Sequence, residues 1–157
     1  MTRFSRRSLL LLAFAFAGVS YGPAVAEDAS HPGLRVALSG YDPVSYFTDG
    51  HPEQGSEEFS AAFDDAIYWF KNAEHQAKFL TDPDSYAPQY GGYCAISMSQ
   101  GKKAEPDPQA WTISDGKLYV FRSPVGVSMF NAQAAAIVGE ASNHWPELKG
   151  SSSAATN

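Results

Sequence analysis

The chain has 157 residues, a formal net charge of −6 at pH 7 and one cysteine, Cys94. That length suits one ordinary domain with one core. The acidic balance argues against a nucleic-acid partner or an anionic membrane surface, and a lone thiol excludes an internal disulfide framework.

The N-terminus reads as a secretory signal peptide over residues 1–26. Arg3, Arg6 and Arg7 form a basic start, Leu9 to Val19 an apolar run, and Ala24-Val25-Ala26 a small-residue cleavage pattern, with the cut expected before Glu27. The run is too short for a stable transmembrane helix, so no span is expected in the mature protein. Ser5-Arg6-Arg7-Ser8-Leu9-Leu10 resembles a twin-arginine export motif, with Leu9 and Leu11 where Phe and Lys are usual. The expected address is the periplasm. The signal holds three of the eleven Lys and Arg and none of the seventeen acids, so the mature charge is 8 − 17 = −9.

Residues 27–33 read as a flexible leader, 34–148 as the folded body and 149–157 as a disordered tail. Asp42-Pro43 is a turn or helix start. Glu58–Phe63 and Ala66–Phe70, joined at Asp64-Asp65, predict a β-hairpin. Asn72 is the expected N-cap of a helix Ala73–Leu80, and Asp82-Pro83 starts a helical turn through Tyr86. On the longer helix, His75 and Phe79 share one face and Gln76 and Leu80 another, and where His75 is not a ligand it is expected half-exposed beside Phe79. Gly91-Gly92 permit tight backbone geometry before a short helix Tyr93–Ser99 stopped by Gly101. Asp115-Gly116, between β-rich runs, predicts a type I′ hairpin. Val125–Val138 predicts a helix with Met129, Phe130, Gln133, Ala134, Ile137 and Val138 along one stripe; Asn143–Leu148 closes the domain, pinned by Trp145. Hairpins mixed with short helices, without βαβ alternation, define an α+β class: a small single domain with a C-terminal hairpin and helix.

Several motifs in order carry a family resemblance: Gly40-Tyr41-Asp42-Pro43-Val44-Ser45-Tyr46-Phe47, Tyr68-Trp69-Phe70, Asp82-Pro83-Asp84-Ser85-Tyr86-Ala87-Pro88, Gln89-Tyr90-Gly91-Gly92-Tyr93-Cys94-Ala95, Asp107-Pro108-Gln109-Ala110-Trp111 and Asp115-Gly116-Lys117-Leu118-Tyr119. Spanning roughly Leu38 to Leu148, they resemble the exported, single-cysteine YHS-domain proteins of bacteria. The resemblance implies a YHS/TRASH-like core and a metal-binding role, with copper as the metal. The cysteines of the family's metal-associated forms fall here at Ser45, Lys71 and His75, none of them cysteine.

Three readings of the chemistry stand. A non-enzymatic copper-type site would use Cys94 and Met98, four apart on one helical face, with His75, since thiolate, thioether and imidazole are soft or borderline ligands. A metal-free accessory module would bind a protein or small molecule through aromatic residues, with Tyr90, Tyr93, Tyr46 and Trp111 as pocket candidates. A thiol-dependent redox protein would use Cys94 at a helix N-terminus. Beside all three stands the plain reading of Cys94 as a small core residue. An exposed Cys94 would also permit a disulfide-linked homodimer, the alternative to a periplasmic protein partner.

Overall fold

The computed structural model describes residues 33–151. The expected signal peptide, the expected leader up to residue 32 and the expected tail beyond residue 151 lie outside the described residues. The domain is α+β, as the sequence predicts. A three-stranded sheet has the order β1-β3-β2, from β1 (Arg35–Val36), β2 (Ser56–Phe63) and β3 (Ala66–Phe70). A second sheet pairs β4 (Asp107–Ser114) with β5 (Lys117–Phe121). The helices are α1 (Ser45–Thr48), α2 (Ala73–Thr81), α3 (Pro83–Tyr86), α4 (Ala95–Ser99) and α5 (Pro124–Leu148).

β3 reads AIYWF because it is the central strand of its sheet. It pairs in parallel with β1, Val36 opposite Ile67, and antiparallel with β2, Ala62 opposite Ile67. α2 lies against both β2 and β3. A strand covered on both faces loses the polar alternation of a half-exposed one. β5, KLYVF, is apolar for a related reason. Successive side chains point to opposite faces, so Leu118 and Val120 join one buried cluster and Tyr119 and Phe121 another. The first cluster holds Val44, Tyr46, Tyr68, Phe70 and Phe79; the second holds Tyr90, Tyr93, Cys94, Met98 and Phe130. One strand therefore divides the core in two.

The hairpin turns form where the sequence places them. Asp115 and Gly116 both have positive φ (50° and 71°), as a type I′ turn requires, and Asp64 is left-handed at 53°. Two further turns each place three successive residues in the left-handed region: Leu38-Ser39-Gly40 and Tyr90-Gly91-Gly92. At Gly92 the φ of 76° favours glycine, and a Cβ would also press on Pro88 at 3.2 Å.

Two helices differ from their predicted spans by more than one residue. α4 begins at Ala95 rather than Tyr93, because Tyr93 is extended (φ −82°, ψ 159°) and Cys94 is the N-cap, its N–H given to the Ala104 carbonyl at 2.9 Å. α5 runs from Pro124 to Leu148, so Asn143–Leu148 continues the helix instead of forming a separate closing segment. Its backbone breaks at Gln133 (φ −141°, ψ 33°). The predicted apolar stripe is corrected with it. Phe130, Ala134, Ile137 and Val138 pack inward, whereas Met129 is 45% exposed and Gln133 faces solvent. The inward face keeps a spacing of three and four through Val127, Phe130, Ala134, Ile137, Ala141, Trp145 and Leu148, and Met129 and Gln133 fall to its side. Among the described residues no helix is long and apolar enough to cross a membrane.

Candidate functional site

The chemically densest point in the core is Asp42. Its turn is made by its own side chain: Oδ1 accepts from the Val44 N–H at 2.8 Å, an Asx turn that leads through Pro43 into α1. The main-chain carbonyl of Asp42 accepts from the Ser45 hydroxyl at 2.7 Å, and Ser45 Oγ in turn accepts from the Glu53 N–H at 3.0 Å. The second carboxylate oxygen, Oδ2, accepts from the Lys71 N–H at 3.0 Å and lies 2.6 Å from His75 Nδ1. Asp42 is fully buried and His75 is 4% exposed. A carboxylate only accepts, so Nδ1 carries the donated hydrogen and Nε2 faces the Thr48 hydroxyl at 3.4 Å.

Local sequence explains how each partner arrives. Asn72 caps α2 by accepting the His75 N–H at 2.9 Å, which sets His75 in the first turn of the helix. Lys71 directly follows β3, and its N–H faces the same carboxylate while its ammonium reaches Asp49 Oδ2 at 2.5 Å near the surface. That ammonium holds the Asp49 carboxyl below its ordinary pKa, first by hydrogen bonding and then by charge. His75 is thus a buried group, in correction of the half-exposed position expected. Its imidazole finds a polar partner inside, and the face it shares with Phe79 is the core face of α2.

Cys94 and Met98 are brought together elsewhere. The Met98 N–H donates to the Cys94 carbonyl at 2.9 Å, one helical turn on, and both side chains belong to the second cluster at 2% and 0% exposure. α4 packs on α5 and β5, while α2 packs on β2, β3 and α3. The structure places two of the three predicted ligands in one cluster and gives the third, His75, to Asp42. A redox or disulfide role needs an accessible thiolate, and Cys94 is buried.

The four aromatic candidates separate in the same way. Tyr46 and Trp111 meet edge-to-face with centroids 5.2 Å apart, and the Tyr46 hydroxyl donates to the Pro108 carbonyl at 3.0 Å. Tyr90 and Tyr93 lie in the Cys94 cluster; Tyr90 donates to the Val138 carbonyl at 3.3 Å, and Arg35 stacks 3.9 Å from the Tyr93 ring centre. Burial pushes the pKa of the Tyr46 and Tyr90 hydroxyls up. Tyr46, Tyr90 and Tyr93 are 1%, 7% and 7% exposed, so these rings are core and not the wall of an open pocket. A shallow groove between α2 and α3, lined by Glu74, Lys78, Asp82 and Tyr86 among others, contains none of the predicted residues.

Sequence reasoning missed Asp42 as a chemical group. The available signal was its Asp-Pro dipeptide, which announces an Asx turn, together with a histidine at the first turn of a capped helix. Neither signal says that the two meet across 33 positions.

The donor set of this centre does not fit a soft-metal site. The Ser45 hydroxyl is doubly engaged, the Lys71 ammonium is paired with Asp49, and His75 Nδ1 is turned to Asp42, so these three positions offer no sulfur ligand and one imidazole nitrogen, Nε2. Among the described residues no group of three or more His, Cys, Asp and Glu side chains is placed to hold a metal ion. No family model, no curated protein and no solved structure matches the chain.

Proposed function

We propose that the chain is a non-enzymatic YHS-type module of the periplasm, a metal-free accessory domain. One observation carries this reading. Ser45, Lys71 and His75 are grouped by the resemblance alone, and all three bond to one residue, Asp42: Ser45 to its carbonyl, Lys71 and His75 to its carboxylate. Their convergence supports the family reading. Their engagement supports the metal-free one, because a buried, hydrogen-bonded carboxylate now ties together the segments that shared ligands would otherwise join.

A second reading rests on the Cys94–Met98 pair. Thiolate and thioether one turn apart in one apolar cluster are suited to Cu(I). Metal analysis of protein isolated from the periplasm, followed by Cu(I) titration under reducing conditions, separates the two. The first reading expects no copper or zinc and no stoichiometric uptake. Uptake lost in both Cys94→Ala and Met98→Leu sinks it in favour of the sulfur pair; uptake lost in His75→Gln sinks it in favour of a ligand set at the Asp42 centre.

A further inference from the structure

α5 covers the second cluster with one face, and its other face is unlike the rest of this acidic surface. Seventeen consecutive residues, 123–139, carry no charge. Val125 is 66% exposed and Met129 45%, and Ala132, Ala135, Ala136 and Gly139 are exposed with them. A solvated helix face ordinarily carries charges. The uncharged stretch is bounded by opposite signs: Arg122 before it and Glu140 after it, both exposed, and neither in an ion pair among the described residues.

Gly139 adds an independent oddity. A Cβ there would meet nothing within 4 Å, and its φ is not in the left-handed region, so neither space nor backbone demands glycine within one chain. Glycine weakens an exposed helix. A close approach by something outside the chain gives it a use.

We infer that this face of α5 pairs antiparallel with α5 of a second copy of the chain, crossing near Ala132. The occupant follows from charge. With a mature charge of −9, two copies repel over most of their surfaces, and this stretch is uncharged. Antiparallel crossing at Ala132 sets Arg122 of each copy within about a turn of Glu140 on the other. It also sets the larger Val125 and Met129 opposite the small Ala135, Ala136 and Gly139, a self-complementary fit across a two-fold axis. The break at Gln133 lies beside the crossing point. This inference is independent of how the Asp42 centre is read.

Sedimentation velocity on the purified protein over a range of concentrations tests it. Wild type is expected to show a monomer–dimer equilibrium. Gly139→Leu, which has open space in the monomer, should keep the monomer's melting temperature or raise it and weaken the dimer by about tenfold or more. Met129→Glu should do the same to the dimer. Arg122→Glu and Glu140→Arg should each weaken the dimer, and the double reversal should restore it. A wild-type monomer at every concentration overturns the inference and leaves the face to a different protein. A dimer indifferent to Gly139→Leu and to the charge reversals also overturns it.

Discussion

Asp42 with His75, and Cys94 with Met98, are two buried pairs at similar depth on the two sides of the divided core. The first pair is polar, and its partners are N–H groups and an imidazole drawn from three separate segments. The second is soft and apolar, made within a single short helix. A buried polar group must be hydrogen-bonded to be tolerable, so Asp42 depends on the arrangement of α1, β3 and α2 together. A buried thiol and thioether need only volume, so Cys94 and Met98 depend on local packing. The first centre specifies how segments join; the second fills space.

The comparison breaks most sharply at Asp42. Asp42→Ala strands the Val44 N–H, the Lys71 N–H and His75 Nδ1 together. The expected cost is about 3–5 kcal/mol, read from urea denaturation, enough to threaten a domain of this size. Asp42→Asn, which keeps an acceptor oxygen, should cost less. A cost below about 1 kcal/mol for Asp42→Ala would mean that the centre does not hold the segments together.

Met98→Ala tests the other side. Loss of a fully buried side chain should cost about 2–5 kcal/mol, according to how far the cavity collapses. Thiol labelling of the same protein reports on Cys94 directly. In native wild type it should be slow and limited by opening of the fold, and Met98→Ala should accelerate it. Rapid labelling of native wild type would show that Cys94 is reachable, contrary to its 2% exposure.

The smallest effect is at the rim of the polar centre. The Asp49 carboxyl is held below its ordinary value of 3.8 by Lys71. A group depressed in the folded state contributes stability that is complete above its unfolded pKa and is lost as pH falls through the lower, folded one. The stability difference between wild type and Asp49→Asn should therefore be present at neutral pH and fade in strong acid. Because the pair is partly exposed, added salt should reduce it. A difference that is constant with pH would remove Lys71 as its cause.

Both hairpin turns, the Asn72 cap, the Pro83 helical turn and the Gly101 stop were legible in the sequence because each is fixed by dihedral preference or by hydrogen bonds a few residues long. The α+β class followed from their order. The start of α4 was not legible: Gly91-Gly92 permits more than one path, and the Cys94 N–H bond to Ala104 selects the one seen. Nor was the full length of α5, whose C-terminal limb is held by Trp145 packing across Tyr90 and over Gly91.

The chain by itself determined its charge, its local turns and caps, and the spacing that puts Cys94 and Met98 on one helical turn. Only the tertiary structure decided that His75 belongs to Asp42 and not to those sulfurs. Spacing within a helix is set by the backbone repeat. Which side chains from distant segments meet is set by packing and by the need of every buried polar group for a partner, and those are properties of the assembled core.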